Sequence, residues 1–193
     1  AGGFGPDLVW WKRRTTETAN IHKLYARGID DNHIISPNEN NAQGWDEDAH
    51  GYLDSLDSDG YTLKDGSSGG DGTNEFGDDY ISWMWDAGTA ASGANNNGSI
   101  NISSGNQWVN TTAGFSITKW SGTEAAATVG HGLSVPPEFI IVKNLDENLS
   151  WAVYHKDVGN THAIALDTTA VPQDADSFWN DTTPTNTVFS VGT

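Results

Sequence analysis

Short apolar runs that alternate with polar residues, each closed by Gly, Asn, Asp, Ser or Thr, are the feature that most limits what this chain can become. Tyr80-Ile-Ser-Trp-Met-Trp85 is the clearest case, sending Ile81, Trp83 and Trp85 to one side and Tyr80, Ser82 and Met84 to the other. A period of two over four to eight residues is the signature of a half-buried strand. Leu8–Lys12, Gly60–Leu63, Gly114–Trp120, Glu138–Lys143, Trp151–His155, Ala163–Asp167 and Thr187–Val191 read the same way and are rich in β-branched and aromatic residues. The pattern predicts an all-β chain, an antiparallel β-sandwich or jelly roll. One helical turn is expected, near Asn20–Arg27.

Composition then narrows the function. The 193 residues hold no Cys, which excludes a disulfide scaffold, a thiolate zinc site and a cysteine nucleophile. Nine Trp give the chain ample surface to bury, unlike a disordered segment. The formal charge of −17 argues against nucleic acid and against anionic membrane surfaces, both of which need a basic footprint. No apolar run approaches the roughly 20 residues of a membrane-spanning helix.

The chain also repeats itself. Pro6-Asp-Leu-Val-Trp-Trp-Lys12 lies 131 positions before Pro137-Glu-Phe-Ile-Ile-Val-Lys143, and both read Pro, acid, apolar run, Lys. Ile21–Gly28 is then answered by Trp151–Gly159, and Asp59–Leu63 by Asn186–Val191; the first copy runs on into Gly77–Trp85. The expected organisation is two related incomplete repeats: residues 1–85, a Gly/Asn/Ser-rich linker over 86–113, and a second repeat over 114–193. Such a phase points to a segment of a longer repetitive protein, or to a sheet edge completed by a neighbouring chain, because an open edge invites aggregation.

In order, PDLVWWKRR, DSDGYTL, GDDYISWMW, AGFSITKWSGT, ATVGHGLSVPPEFIIVKN, SWAVYH and FWNDTTPTNTVFSVG resemble a repeated β-rich domain. That domain is common in long virion proteins of marine tailed phages, especially cyanophages, where it occurs in tail-fibre and other structural polypeptides and is often described only as a domain of unknown function or as lectin-like. The resemblance implies a concanavalin-like or jelly-roll sandwich at a virion surface or otherwise extracellular. It implies no catalytic residue. The implied partners are copies of the same chain, as a homo-oligomer or fibre, and host cell-surface glycans.

Candidate site residues are few. Ser55-Leu-Asp57-Ser-Asp59-Gly60 approximates a calcium loop, making Asp57 and Asp59 metal candidates, but Ser55 and Gly66 occupy the first and twelfth ligand positions. A hairpin turn explains the same residues with no cofactor. Loop tryptophans Trp45, Trp108 and Trp179 are the candidates for stacking on sugar rings, whereas Trp10, Trp83, Trp85, Trp120 and Trp151 are expected in the core. Gly66–Gly70 matches G-x-S-x-G without the strand-turn-helix that exposes a nucleophile. Glycoside cleavage needs two carboxyls about 5–9.5 Å apart, and no strand here carries acids so spaced. The expectation is therefore a binding or structural protein and not an enzyme; a self-assembling subunit without ligand, and a carbohydrate-active enzyme with acids gathered across loops, are the alternatives.

Overall fold

The computed structural model describes residues 3–14, 21–44, 47–67, 72–174 and 176–193. The chain is all-β, built from antiparallel sheets in two compact units: residues 1–86 with 144–149, and residues 87–143 with 150–193.

The first unit contains β1 (Leu8–Arg13), β2 (Lys23–Ala26), the one-turn helix α1 (Glu47–His50), β3 (Tyr52–Leu56), β4 (Tyr61–Lys64) and β5 (Tyr80–Trp85). β1 is central, with β2 on one edge and β5 on the other. Its registers set Val9 against Tyr25 and Met84, and Trp10 against Leu24 and Trp83. The helical turn expected at Asn20–Arg27 is thus corrected: Asn20 lies outside the described residues and Lys23–Ala26 is a strand. Pairing along β1 satisfies its backbone groups and outweighs the weak helical preference of a four-residue stretch.

One face of this sheet builds the core. Val9, Trp11 and Tyr25 are buried on it, and Ile34, Ile35 and Leu53 are buried in the same unit. Lys23, 3 % exposed, sends its Nζ to the His50 carbonyl (3.0 Å), which also accepts from Thr73 Oγ1 (2.6 Å). A buried ammonium is tolerated only with such partners. Gly51 follows at φ +74°, and a Cβ there would stand 2.3 Å from the Lys64 carbonyl oxygen, so the hairpin β3–β4 needs glycine at this position.

The second unit contains β6 (Thr89–Ala90), β7 (Gln107–Asn110), β8 (Phe115–Thr118), β9 (Ala127–Gly130), β10 (Phe139–Val142), β11 (Ala152–His155), β12 (His162–Ala165), β13 (Gln173–Asp174), the one-turn helix α2 (Asp176–Trp179) and β14 (Val188–Val191). They form the sheets β6-β7-β8, β14-β9 and β10-β11-β12-β13. The last two supply Val129, Phe189, Ala152, Tyr154 and Ala163 to a single core, joined by Ile100, Ile102 and Trp179.

That core overturns the reading of 86–113 as a linker. Ile100 and Ile102 are 6 % and 1 % exposed, Ile100 forms a bridge with Val129, and β6 and β7 lie within the stretch. Its Gly/Asn/Ser-rich composition serves tight turns around two buried isoleucines. Residues 144–149 likewise belong with the first unit, where the Gln43 N–H donates to the Leu145 carbonyl (2.9 Å) and the Ala42 N–H to Asn148 Oδ1 (2.8 Å).

Gln107, 3 % exposed, ties the second unit together. Its Oε1 accepts from Asn95 Nδ2 (2.9 Å), and its Nε2 donates to Thr118 Oγ1 (2.9 Å) and to the Gly130 carbonyl (2.7 Å). Both polar ends of the Gln107 amide are partnered, so deleting it strands the groups it meets. Gln107→Met is expected to lower unfolding stability by about 1–3 kcal/mol. Trp179→Ala, which empties the centre of the core, is expected to cost about 3–5 kcal/mol. Urea unfolding followed by tryptophan fluorescence and circular dichroism measures both.

Candidate functional site

The register of β1 and β5 places Leu8 with Trp85, Trp10 with Trp83 and Lys12 with Ile81, so these six residues share the sheet face opposite the Val9–Trp11 core. Ile81, Trp83 and Trp85 on this face are 41 %, 43 % and 37 % exposed. Trp10 meets Trp83 edge to face with ring centroids 5.9 Å apart, and meets His22 at 5.6 Å. Its Nε1 donates to His22 Nδ1 (3.0 Å), while the His22 backbone N–H donates to Asn38 Oδ1 (2.8 Å). The result is a row of indole and aliphatic surface on the end strand of the sheet, with an imidazole and an ammonium beside it. Flat aromatic faces rimmed by polar groups can stack on the apolar face of a sugar ring.

The tryptophans expected at a binding surface lie elsewhere. Trp179 is 2 % exposed, on α2 in the core of the second unit, with its ring 5.8 Å from that of Tyr154. It is thereby corrected from a loop stacking residue to a core residue, because α2 packs it against Tyr154 among the residues of β9, β11, β12 and β14. Trp108 is half-buried and lies on β7, opposite Ile117 of β8 and Ala90 of β6. Trp45 lies outside the described residues, as do Ser68–Gly70 of the G-x-S-x-G match. Conversely, Trp83 and Trp85, expected inside, are on the surface, and Trp10 and Trp120 are only partly buried; Trp151 is in the core at 4 % exposure. The doublet Trp10-Trp11 was the available signal: adjacent tryptophans on a strand must face opposite ways, so one sheet face had to carry an aromatic away from the core.

Asp57 and Asp59 sit exposed at the tip of the β3–β4 hairpin. Ser55 Oγ donates to Asp57 Oδ1 (3.0 Å), Thr62 Oγ1 donates to Asp57 Oδ2 (3.1 Å), and the Asp57 N–H donates to the Gly60 carbonyl (2.9 Å). The carboxylate thus organises the turn. Among the described residues no three His, Asp or Glu side chains gather as a metal site.

Two histidines are held neutral by their surroundings. Burial pushes the His22 imidazole down from its ordinary value, and nearby Lys12 pushes it further. Burial also lowers His131, an effect partly offset by its bond to the Thr185 carbonyl. His131 Nδ1 accepts from the Leu133 N–H (3.0 Å) and its Nε2 lies 3.1 Å from that carbonyl, which suits the neutral ring protonated on Nε2.

The fold and this face define an all-β protein of two antiparallel units with an open aromatic sheet surface. The chain belongs to the family of the Domain of unknown function (DUF7483), whose model matches residues 1–193. No curated protein and no solved structure matches it. Among the described residues no helix is long and apolar enough to cross a membrane.

The histidines make stability depend on pH with a definite sign. Both folded-state values are depressed, so the unfolded chain takes up protons first as the pH falls. Their stabilising contribution is fully present above the unfolded value of about 6.5 and is lost as pH falls through the folded values. The urea midpoint is expected to drop between pH 7.5 and 5, and His22→Gln and His131→Gln are each expected to flatten that dependence.

Proposed function

We propose that this chain is a virion-surface structural module of the tail-fibre kind, acting by presenting glycan-binding surfaces and not by catalysing a reaction. The observation that carries the reading is the exposed row of Trp83 and Trp85 with Ile81 and the half-buried Trp10. It is supported by the run of motifs from PDLVWWKRR to FWNDTTPTNTVFSVG that resembles the β-rich repeat of marine tailed-phage fibres. An all-β scaffold with an aromatic sheet face suits weak stacking contacts, and repetition along a fibre converts weak contacts into avidity. The net charge of −17 keeps such an assembly soluble and repels nucleic acid released around it. A self-assembling subunit with no ligand is the competing reading.

A glycan array probed with the purified chain tests it. Binding to at least one glycan is expected, and Trp83→Ala or Trp85→Ala is expected to weaken it about tenfold, the loss of one stacking contact. Trp108→Ala, in the other unit, is expected to leave binding unchanged. No binding to any glycan, together with ordered self-association, overturns the reading in favour of the ligand-free subunit.

A further inference from the structure

The two units each contain a hairpin built to one plan. Val9 faces Tyr25 as Ile140 faces Tyr154, and Leu8 faces Ala26 as Phe139 faces His155. In the first, Arg27 Nε pairs with Asp7 Oδ1 (3.0 Å) and the Arg27 N–H donates to the Asp7 carbonyl (2.9 Å). In the second, Lys156 Nζ pairs with Glu138 Oε1 (2.6 Å) and the Lys156 N–H donates to the Glu138 carbonyl (2.9 Å). Both acids follow a proline, Pro6 or Pro137. β10 is therefore the counterpart of β1, and β11 of β2.

The counterparts differ at the other edge. β1 is flanked there by β5, whereas β10 is the end strand of its sheet and, among the described residues, pairs with β11 alone. In an antiparallel ladder backbone groups turn alternately to the two edges. Because Lys156 bonds to Glu138, the residues Glu138, Ile140 and Val142 turn theirs toward β11, and Phe139 and Ile141 turn theirs to the open edge. In β1 the matching residues Leu8 and Trp10 turn theirs to β5 and meet Trp85 and Trp83 across the ladder. Phe139 and Ile141 are 55 % and 40 % exposed, whereas Leu8 and Trp10, flanked by β5, are half-buried.

We propose that the open edge of β10 is a strand-accepting site whose occupant is an extended segment of the β5 pattern. Its aromatic residues alternate, so that Trp-like side chains lie over Phe139 and Ile141. It runs antiparallel, and the register of β1 with β5 carried onto β10 sets a residue like Ile81 opposite Lys143 at its end. Backbone bonds supply affinity in such strand addition, and alternate side chains supply selectivity.

The test is a titration of the full chain with a labelled peptide of residues 77–86, followed by fluorescence anisotropy. Saturable binding is expected, with a control peptide of the same composition but aromatics moved to the other parity binding at least about tenfold more weakly. Ile141→Pro removes an outward N–H without touching the β10–β11 ladder, and is expected to keep the melting temperature and weaken the peptide about tenfold. If that variant fails to fold, amide hydrogen exchange on the unaltered chain decides, with slowed exchange expected at Phe139 and Ile141 when peptide is bound. Absence of saturable binding, equal binding of the control peptide, unchanged affinity in folded Ile141→Pro, or slowed exchange confined to β5 each overturns the proposal. Self-association through β10 that the peptide does not displace also overturns it, making a second copy's edge the occupant.

Discussion

Burial of Val9 and Trp11 on one face of β1 is the constraint on which the first unit depends. With those two side chains inside, Tyr25 and Lys23 of β2 must face inward beside them, and Lys23 must find the His50 carbonyl. The opposite face then carries Trp10, and through the β1–β5 ladder it carries Trp83 and Trp85 as well. A shift of one residue along β1 would exchange the two faces entirely. The surface tryptophans are thus a consequence of core packing next door.

The second unit is organised around a different balance. Its apolar centre joins two sheets, but the strands that feed it are short, and their placement relies on polar groups that are fully paired. Gln107 links the segment at Asn95, strand β8 through Thr118 and the end of β9 through Gly130. His131 continues the same region by holding Leu133 and Thr185. Buried polar groups of this sort cost free energy when left unmade, so they select one arrangement among many that would bury the same isoleucines.

Charge separates the ways in which the chain can meet other molecules. A chain at −17 repels its own copies at long range, yet the repulsion is screened within roughly 8 Å at physiological salt. Contacts through an aromatic face or a strand edge act inside that distance. The exposed row on β5 and the open edge of β10 are therefore the surfaces where short-range forces can win over a net repulsion.

Alternation and turn residues in the sequence determined that the chain is all-β, and eight of the strands were legible from apolar positions alone, β5 at its full length of Tyr80–Trp85. The Pro-acid-apolar-Lys echo of residues 6–12 in 137–143 is a feature of the sequence, whereas the ion pairs Asp7–Arg27 and Glu138–Lys156 belong to the folded strand pairs. Lys23–Ala26 was not legible as a strand, since four residues carry too little periodicity to separate strand from helix. Which face of a strand lies inside is a property of what packs on it, and no local pattern contains that. Hence Trp179, in a stretch that reads as loop, became core, while Trp83 and Trp85, in an ideal strand, became surface. The stretch 86–113 became part of a core for the same reason: two isoleucines among small polar residues look like a linker until another sheet is there to cover them.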